Sequence, residues 1–265
     1  MIYVLLIVKI SSLYIITVFC TSFLHSVTLQ SVFDAAGPEN GYDKYVILEE
    51  GMIYTGEAGV YEGNVFVEGN GAIVDLNNGL GIWVYAEEEY PASLDIEFIT
   101  IINGGYNGLT FNGTSTGNIS NCNFISNLFG IQIMDNVNIS IKNCNFINNS
   151  QYGIAVRGTT ATLDEIHYSN FWENGLGCGG YNENCWGLSW VPLELEGSGL
   201  IESNPLFIDL DDWDFSYEEN SPCIDAGDPT DTDPDGSTRD IGARWFGEET
   251  QSEPGDCNAD GIQNV

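Results

Sequence analysis

The chain has 265 residues, 43% of them apolar, and carries 6 Lys and Arg against 39 Asp and Glu, a formal charge of −33. That length holds one sizeable domain or two small ones, and the apolar share is enough to form a core. The charge excludes nucleic acid as a partner, since phosphate backbones would be repelled, and disfavours anionic membranes; solubility, calcium held by carboxylate oxygens and attraction of a cationic partner are the roles left open for it.

Residues 1–28 contain no Asp or Glu and one base, Lys9, among apolar runs at Met1–Val8 and Leu13–Phe19. The pattern is that of a secretory signal with its apolar region around Ser11–Leu24 and small residues for cleavage near Ser22, or Ser26 and Thr28. An uncleaved N-terminal anchor is the alternative, because the apolar stretch nearly reaches spanning length. Phe19 before Cys20 argues against lipoprotein processing. Of the seven cysteines, Cys178 and Cys185 enclose a short loop and are the best candidates for a disulfide, although spacing alone leaves the connectivity open.

The 31 glycines and the Asn-Gly and Gly-Gly steps break the apolar runs into many brief strands with tight turns. An internal repeat then dominates. Asn118-Ile-Ser-Asn-Cys-Asn-Phe-Ile-Ser-Asn127 with Gly130-Ile-Gln-Ile133 aligns with Ser140-Ile-Lys-Asn-Cys-Asn-Phe-Ile-Asn-Asn149 with Gly153-Ile-Ala-Val156. Cys122 and Cys144, Phe124 and Phe146, and Asn127 and Asn149 are each 22 residues apart. Looser copies run through Ile99–Asn103 with Gly108–Phe111 and through Tyr168–Asn174, and Gly81–Val84 matches the glycine half alone. A fixed period of this size marks a solenoid whose units bury their apolar faces by stacking. The inward columns are Ile82, Leu109, Ile131, Ile154 and Val84, Phe111, Ile133, Val156. Asn127, Asn149 and Asn174 are expected to form a ladder of amides between coils, and Cys122 and Cys144 to fill the core.

On these residues the chain resembles right-handed parallel β-helix proteins, the architecture shared with pectate lyases. Tyr45–Tyr54 looks like the opening strand and Val65–Val74 like the first coil. Asn204–Asp209, Asp214-Phe215, Ser221–Pro229 and Asp240–Ala243 look like the closing segment of secreted bacterial members. The resemblance implies an all-β, single-stranded right-handed parallel β-helix with coils of about 22 residues. The expected organisation is a signal or anchor at 1–28, the β-helix with its closing segment at 43–246, a linker at 247–255 and a segment at 256–265 that resembles a truncated dockerin-type calcium loop. Ala86–Ser93, with Glu87, Glu88 and Glu89, reads as a protruding loop, and residues 176–198, with Tyr181, Trp186 and Trp190, as a larger one.

The tail Asp256-x-Asn258-x-Asp260-Gly261-x-x-Asn264 has the oxygen-ligand spacing of a calcium loop and resembles the first loop of a dockerin module. It lacks the acidic ligand at loop position 12, which points to a truncated module of a longer protein and to weak affinity. Asp231, Asp233 and Asp235 before Gly236 offer a second calcium spacing, against the ordinary turn chemistry of Asp-Pro and Asp-Gly. Four Asn-x-Ser/Thr sequons, at Asn112, Asn118, Asn138 and Asn148, matter only in a glycosylating host.

A lyase of this architecture needs a base and a positive charge beside the substrate carboxylate, and a glycosidase needs two facing carboxylates. The outward column beside the glycine repeat is Trp83, Thr110, Gln132, Ala155, then Tyr85, Asn112, Met134, Arg157, which holds one base and no acid. Arg157, Asp164, Glu165 and Lys142 are the weak catalytic candidates at the edges, with His167 more a structural residue than a base. Trp83 and Tyr85, with Trp186 and Trp190, are the candidate platform for sugar rings. The reading is an exported, monomeric module of a longer extracellular or cell-surface protein, a scaffold or binder of extracellular polysaccharide with calcium as its cation; a polysaccharide lyase or glycoside hydrolase is the alternative.

Overall fold

The computed structural model describes residues 4–10, 13–19, 27–157, 163, 165–175 and 197–247. The chain divides into two units, residues 1–26 with 249–265, and residues 27–248. In the first, Val4–Ile10 and Leu13–Phe19 pair as antiparallel strands. Among the described residues no helix is long and apolar enough to cross a membrane.

The second unit is a parallel β-solenoid of about six turns. Each turn lays one strand on each of three faces. The first face is Ala58–Val60, Ile82–Ala86, Asn107–Gly113, Phe129–Met134 and Tyr152–Arg157. The second face runs from Lys44–Ile47 through the leading halves of Gly63–Asp75, Ala92–Ile102 and Thr116–Ile125 to Asn138–Lys142 and Glu165–His167. The third carries Val27–Thr28, Ile53–Thr55, the trailing halves of the same three long strands, Asn145–Ile147 and Asn170–Trp172. The helix Leu29–Ala35, capped by the Thr28 side chain, lays Leu29 and Phe33 on the core at the N-terminal end.

Alternation along each strand sends every second side chain inward, and the register stacks like on like. Leu109, Ile131 and Ile154 align in successive coils, as do Phe111, Ile133 and Val156. Phe124, Phe146 and Phe171 stack face to face, with ring centroids 5.3 and 4.9 Å apart and planes within 12°. Cys122 and Cys144 are free thiols buried in the same core, and burial pushes the Cys122 thiol up.

The corners explain the asparagines. Between the second and third faces one residue per coil takes a left-handed conformation: Phe98, Asn121, Asn143 and Tyr168, with φ of 47–53°. Asparagine tolerates this region better than most residues. One turn further, Asn103, Ser126, Asn148 and Glu173 do the same, with φ of 49–59°. Inside that corner stands the expected amide ladder. Asn127 Nδ2 donates to Asn149 Oδ1 (3.2 Å), Asn149 Nδ2 to Asn174 Oδ1 (2.8 Å), and each Oδ1 also accepts the backbone N–H of the asparagine one coil before.

From Thr100 onward the outer surface of the third face is covered, although Ile53 at its N-terminal end is exposed. Ile102, Ile125 and Ile147 pack against Phe215 and Phe207, and Asn123, Asn145 and Asn170 form a second buried ladder. The covering segment, residues 200–247, is pinned there by Tyr217, whose hydroxyl accepts from Asn145 Nδ2 (2.8 Å) and donates to the Ile241 carbonyl. It is held in shape by Asp240, a buried carboxylate that accepts from the N–H groups of Asp225 (2.7 Å) and Phe246 (2.6 Å). Burial pushes Asp240 from 3.8 up to about 6, with Asp233 and Asp225 adding to the rise.

Because this carboxyl holds its proton more tightly folded than unfolded, the native state binds the extra proton between about pH 4 and pH 6. Stability is therefore highest below that window and falls as pH rises through it. Urea titrations at pH 5 and pH 7.5 are expected to differ by roughly 1–3 kcal/mol, the acidic condition being the more stable. Asp240→Asn should flatten that slope while lowering stability at both pH values, since an amide offers one acceptor to two N–H groups.

Candidate functional site

The outer surface of the second face is polar, and its side chains line up in three columns. Asn64, Ser93, Thr116 and Asn138 form the first. Phe66, Asp95, Asn118, Ser140 and Glu165 form the second. Glu68, Glu97, Ser120, Lys142 and His167 form the third. Each column is one position repeated over successive coils, so neighbouring members lie about 4.8 Å apart along the solenoid axis.

A groove of about 550 Å³ follows this surface, lined by Ser93, Asp95, Thr116, Asn118, Asn138, Ser140 and Glu165. Asp95 anchors one end. Its Oδ1 accepts from the backbone N–H and the Nδ2 of Asn118 (both 2.8 Å), and its Oδ2 from the Tyr42 hydroxyl (2.7 Å). That bond, chiefly, pushes the Tyr42 phenol up to about 12. Tyr42 and Tyr45 pack on Phe66, with centroids 5.2 and 4.9 Å away, so three aromatic rings cluster on the N-terminal side of Asp95.

The loop Asp228–Arg239 of the closing segment stands beside the third column. Lys142 Nζ lies 3.8 Å from Asp228 and 3.9 Å from Asp231. Arg239 donates to Asp233 (2.7 Å) and Asp231 (3.3 Å) and lies over the Phe98 ring at 5.4 Å. Glu68 and Glu97 face each other in register, both half-buried. Tyr45 donates its hydroxyl to Glu68 (3.0 Å). Burial, then the charge of Glu68, pushes Glu97 up, with Arg239 opposing.

The residues singled out in the sequence are scattered. Lys142 and Glu165 belong to the second face, whereas Arg157 ends the last strand of the first face. His167 accepts the Ser198 N–H at Nδ1 (3.0 Å), a structural contact. Asp231 and Asp233 engage the two cations just named, and Asp235 accepts from Ser237 within a turn. Among the described residues no group of three or more His, Cys, Asp or Glu is arranged to hold a metal ion. Asp164, Trp186, Trp190, Cys178, Cys185 and the tail ligands Asp256, Asn258, Asp260 and Asn264 lie outside the described residues.

Trp83 and Tyr85 sit on the outer side of the first face, where Trp83 Nε1 donates to the Leu80 carbonyl (3.2 Å) and Tyr85 to Glu87 (2.5 Å). Tyr61, 62% exposed, follows the strand Ala58–Val60 at the position that Tyr85, 36% exposed, holds one coil later. Further along that face Thr110, Gln132 and Ala155 are buried, so the exposed aromatic strip is confined to its N-terminal coils. Sequence reasoning missed Tyr61, although Ala58-Gly-Val-Tyr61 and Ile82-Trp-Val-Tyr85 share one alternation. It also missed Glu68 and Glu97, which the same alternation signals in Val65-Phe-Val-Glu68 and Leu94-Asp-Ile-Glu97.

Residues 49–186 match the protein family described as "Right handed beta helix region". No curated protein matches the chain.

Proposed function

Since the chain belongs to the right-handed β-helix family, whose stacked coils repeat each outward position along one axis, we propose that it binds an extended, neutral or basic polysaccharide along the groove of the second face. The observation that carries this reading is the set of in-register columns of hydroxyl, amide and carboxylate groups across four coils around that groove. A coil spacing of about 4.8 Å is close to the length of one sugar in an extended chain, so successive sugars meet equivalent donors and acceptors. The three rings at the N-terminal end supply an apolar contact of the kind sugars stack on. The charge of −33 and the carboxylates of Asp95 and Glu165 repel polyuronates. That argues against a uronate lyase and for neutral or basic glycans. In this reading the protein works outside the cell, in keeping with the acid-free apolar stretch at 1–28.

A second reading places the sugar on the first face, on Tyr61, Trp83 and Tyr85, and rests on the exposure of the two tyrosines. Affinity gel electrophoresis separates the two. Gels containing glucan, mannan, xylan, galactan or partly deacetylated chitin are expected to retard the protein in at least one case, and polygalacturonate to have no effect. Ser140→Trp, which fills the groove, should weaken retardation at least about tenfold, a change near 1.4 kcal/mol, with Tyr61→Ala and Trp83→Ala unaffected. The reverse pattern would move the site to the first face.

A further inference from the structure

We propose that the cavity between the last coil of the third face and the closing segment binds a primary alkylammonium group, with Glu173 and Glu218 as its counter-ions. The inference is independent of the glycan reading of the second face.

The cavity lies at the end of a packing seam. Ile102, Ile125, Ile147 and Trp172 occupy one outward column of the third face, and the closing segment packs along it through Phe215 and Phe207. At the last two coils Ile147 and Trp172, with Phe207 and Leu210, form the apolar walls of a cavity of about 280 Å³. Two carboxylates line the same cavity from different elements, Glu173 from the solenoid and Glu218 from the closing segment. Neither is in an ion pair among the described residues. With 6 Lys and Arg against 39 Asp and Glu, the chain itself has few cations to offer them.

Glu173 is also the odd member of its corner. The equivalent positions in the three preceding coils are Asn103, Ser126 and Asn148, left-handed with φ of 53–59°, and Glu173 keeps that conformation at 49°. Asparagine takes this region more readily than glutamate, so the carboxylate stands at the cavity against the preference of the backbone.

Walls of this kind with two carboxylates select a ligand that is apolar along its length and cationic at one end. Anions are repelled, and a neutral apolar molecule leaves both carboxylates without a partner. A bare metal ion finds no group of three or more ligating side chains among the described residues. An ammonium has three donors for carboxylate oxygens. Its methylene stem lies against the apolar walls, and an indole ring adds attraction for the charge. At about 30 Å³ for each water-sized group the cavity holds roughly nine, which suits an amine of about five or six carbons.

The test is a ligand-observed proton NMR titration of the full chain with n-alkylammonium chlorides from propyl to octyl. Affinity is expected to rise about two- to fourfold with each methylene up to about five or six carbons and then level off. 1-Hexanol should bind at least about threefold more weakly than hexylammonium. Glu173→Gln and Glu218→Gln should each weaken hexylammonium about two- to fivefold and leave hexanol unchanged, a difference that a merely structural role would not produce. Leu210→Trp, which fills the cavity, should abolish both; the glutamine variants keep the cavity and decide the matter even where that variant does not fold. Nα-acetyl-lysine amide binding as tightly as pentylammonium would support the proposal with a protein lysine as the source of the group, and binding at least about tenfold weaker would support it with a free amine. Equal affinity for hexanol and hexylammonium, no dependence on chain length, or unchanged ammonium binding in both glutamine variants would overturn it.

Discussion

Phe146→Ala is expected to cost about 3–5 kcal/mol, the range for removing a large aromatic side chain from a packed core. Phe146 is fully buried and is the middle ring of three, stacked on Phe124 at 5.3 Å and Phe171 at 4.9 Å. Its loss opens a cavity between two rings that remain fixed by their own coils. Adjacent strands on both sides hold the backbone at a fixed spacing, so collapse into the space is limited. Urea unfolding followed by far-UV circular dichroism measures the change. Phe146→Leu should retain most of the lost stability, because it replaces most of the volume. A cost below about 1 kcal/mol for the alanine variant would mean that the coils do not stack at this position.

Asn149→Ala should cost a similar amount through a different mechanism. Asn149 Oδ1 accepts from both the backbone N–H and the Nδ2 of Asn127, and Asn149 Nδ2 donates to Asn174 Oδ1 and the Phe124 carbonyl. Truncation strands the buried backbone N–H of Asn127, leaves Asn127 Nδ2 with only the Ile101 carbonyl, and takes one donor each from the Phe124 carbonyl and Asn174 Oδ1. At about 1–3 kcal/mol for a group stranded away from water and about 0.5–1.5 kcal/mol for each further hydrogen bond lost, the total is about 3–5 kcal/mol after partial relaxation. Asn149→Asp separates hydrogen bonding from volume: it keeps the acceptor, loses the donor and buries a charge, so its stability should recover toward that of wild type as pH falls and the carboxyl is protonated. Melting curves between pH 4 and pH 8 give that comparison.

The solenoid was legible in the sequence because its most regular coils repeat cysteine, phenylalanine, asparagine and glycine at 22 or 23 residues, and register pairing returns those same spacings. The amide ladder was legible for the same reason, since Asn127, Asn149 and Asn174 each follow a strand end. The groove was not. Its first coil is offset by 29 residues from the coil before it, from Val65 to Leu94, because the exposed loop around Glu87–Tyr90 lengthens the turn between them. A search at the shorter period passes over Glu68 and Glu97. The third face was hidden by distance along the chain. Asn123, Asn145 and Asn170 read as outward polar residues, and only the folded closing segment, with Tyr217 and Ile241 arriving from 72 and 96 residues beyond Asn145, buries them. The spacing of Asp231, Asp233 and Asp235 is shared by calcium loops and by turns, and spacing alone says nothing of Arg239 and Lys142, which the fold brings to the first two.

Calorimetric titration with a length series of one retained neutral glycan, from disaccharide to hexasaccharide, tests the groove most directly. Four coils line it, so affinity is expected to climb with each added sugar up to about four, at the coil spacing of about 4.8 Å, and then level off. Affinity that is already complete with the disaccharide, or that survives Ser140→Trp unchanged, would contradict a sugar chain lying along the second face.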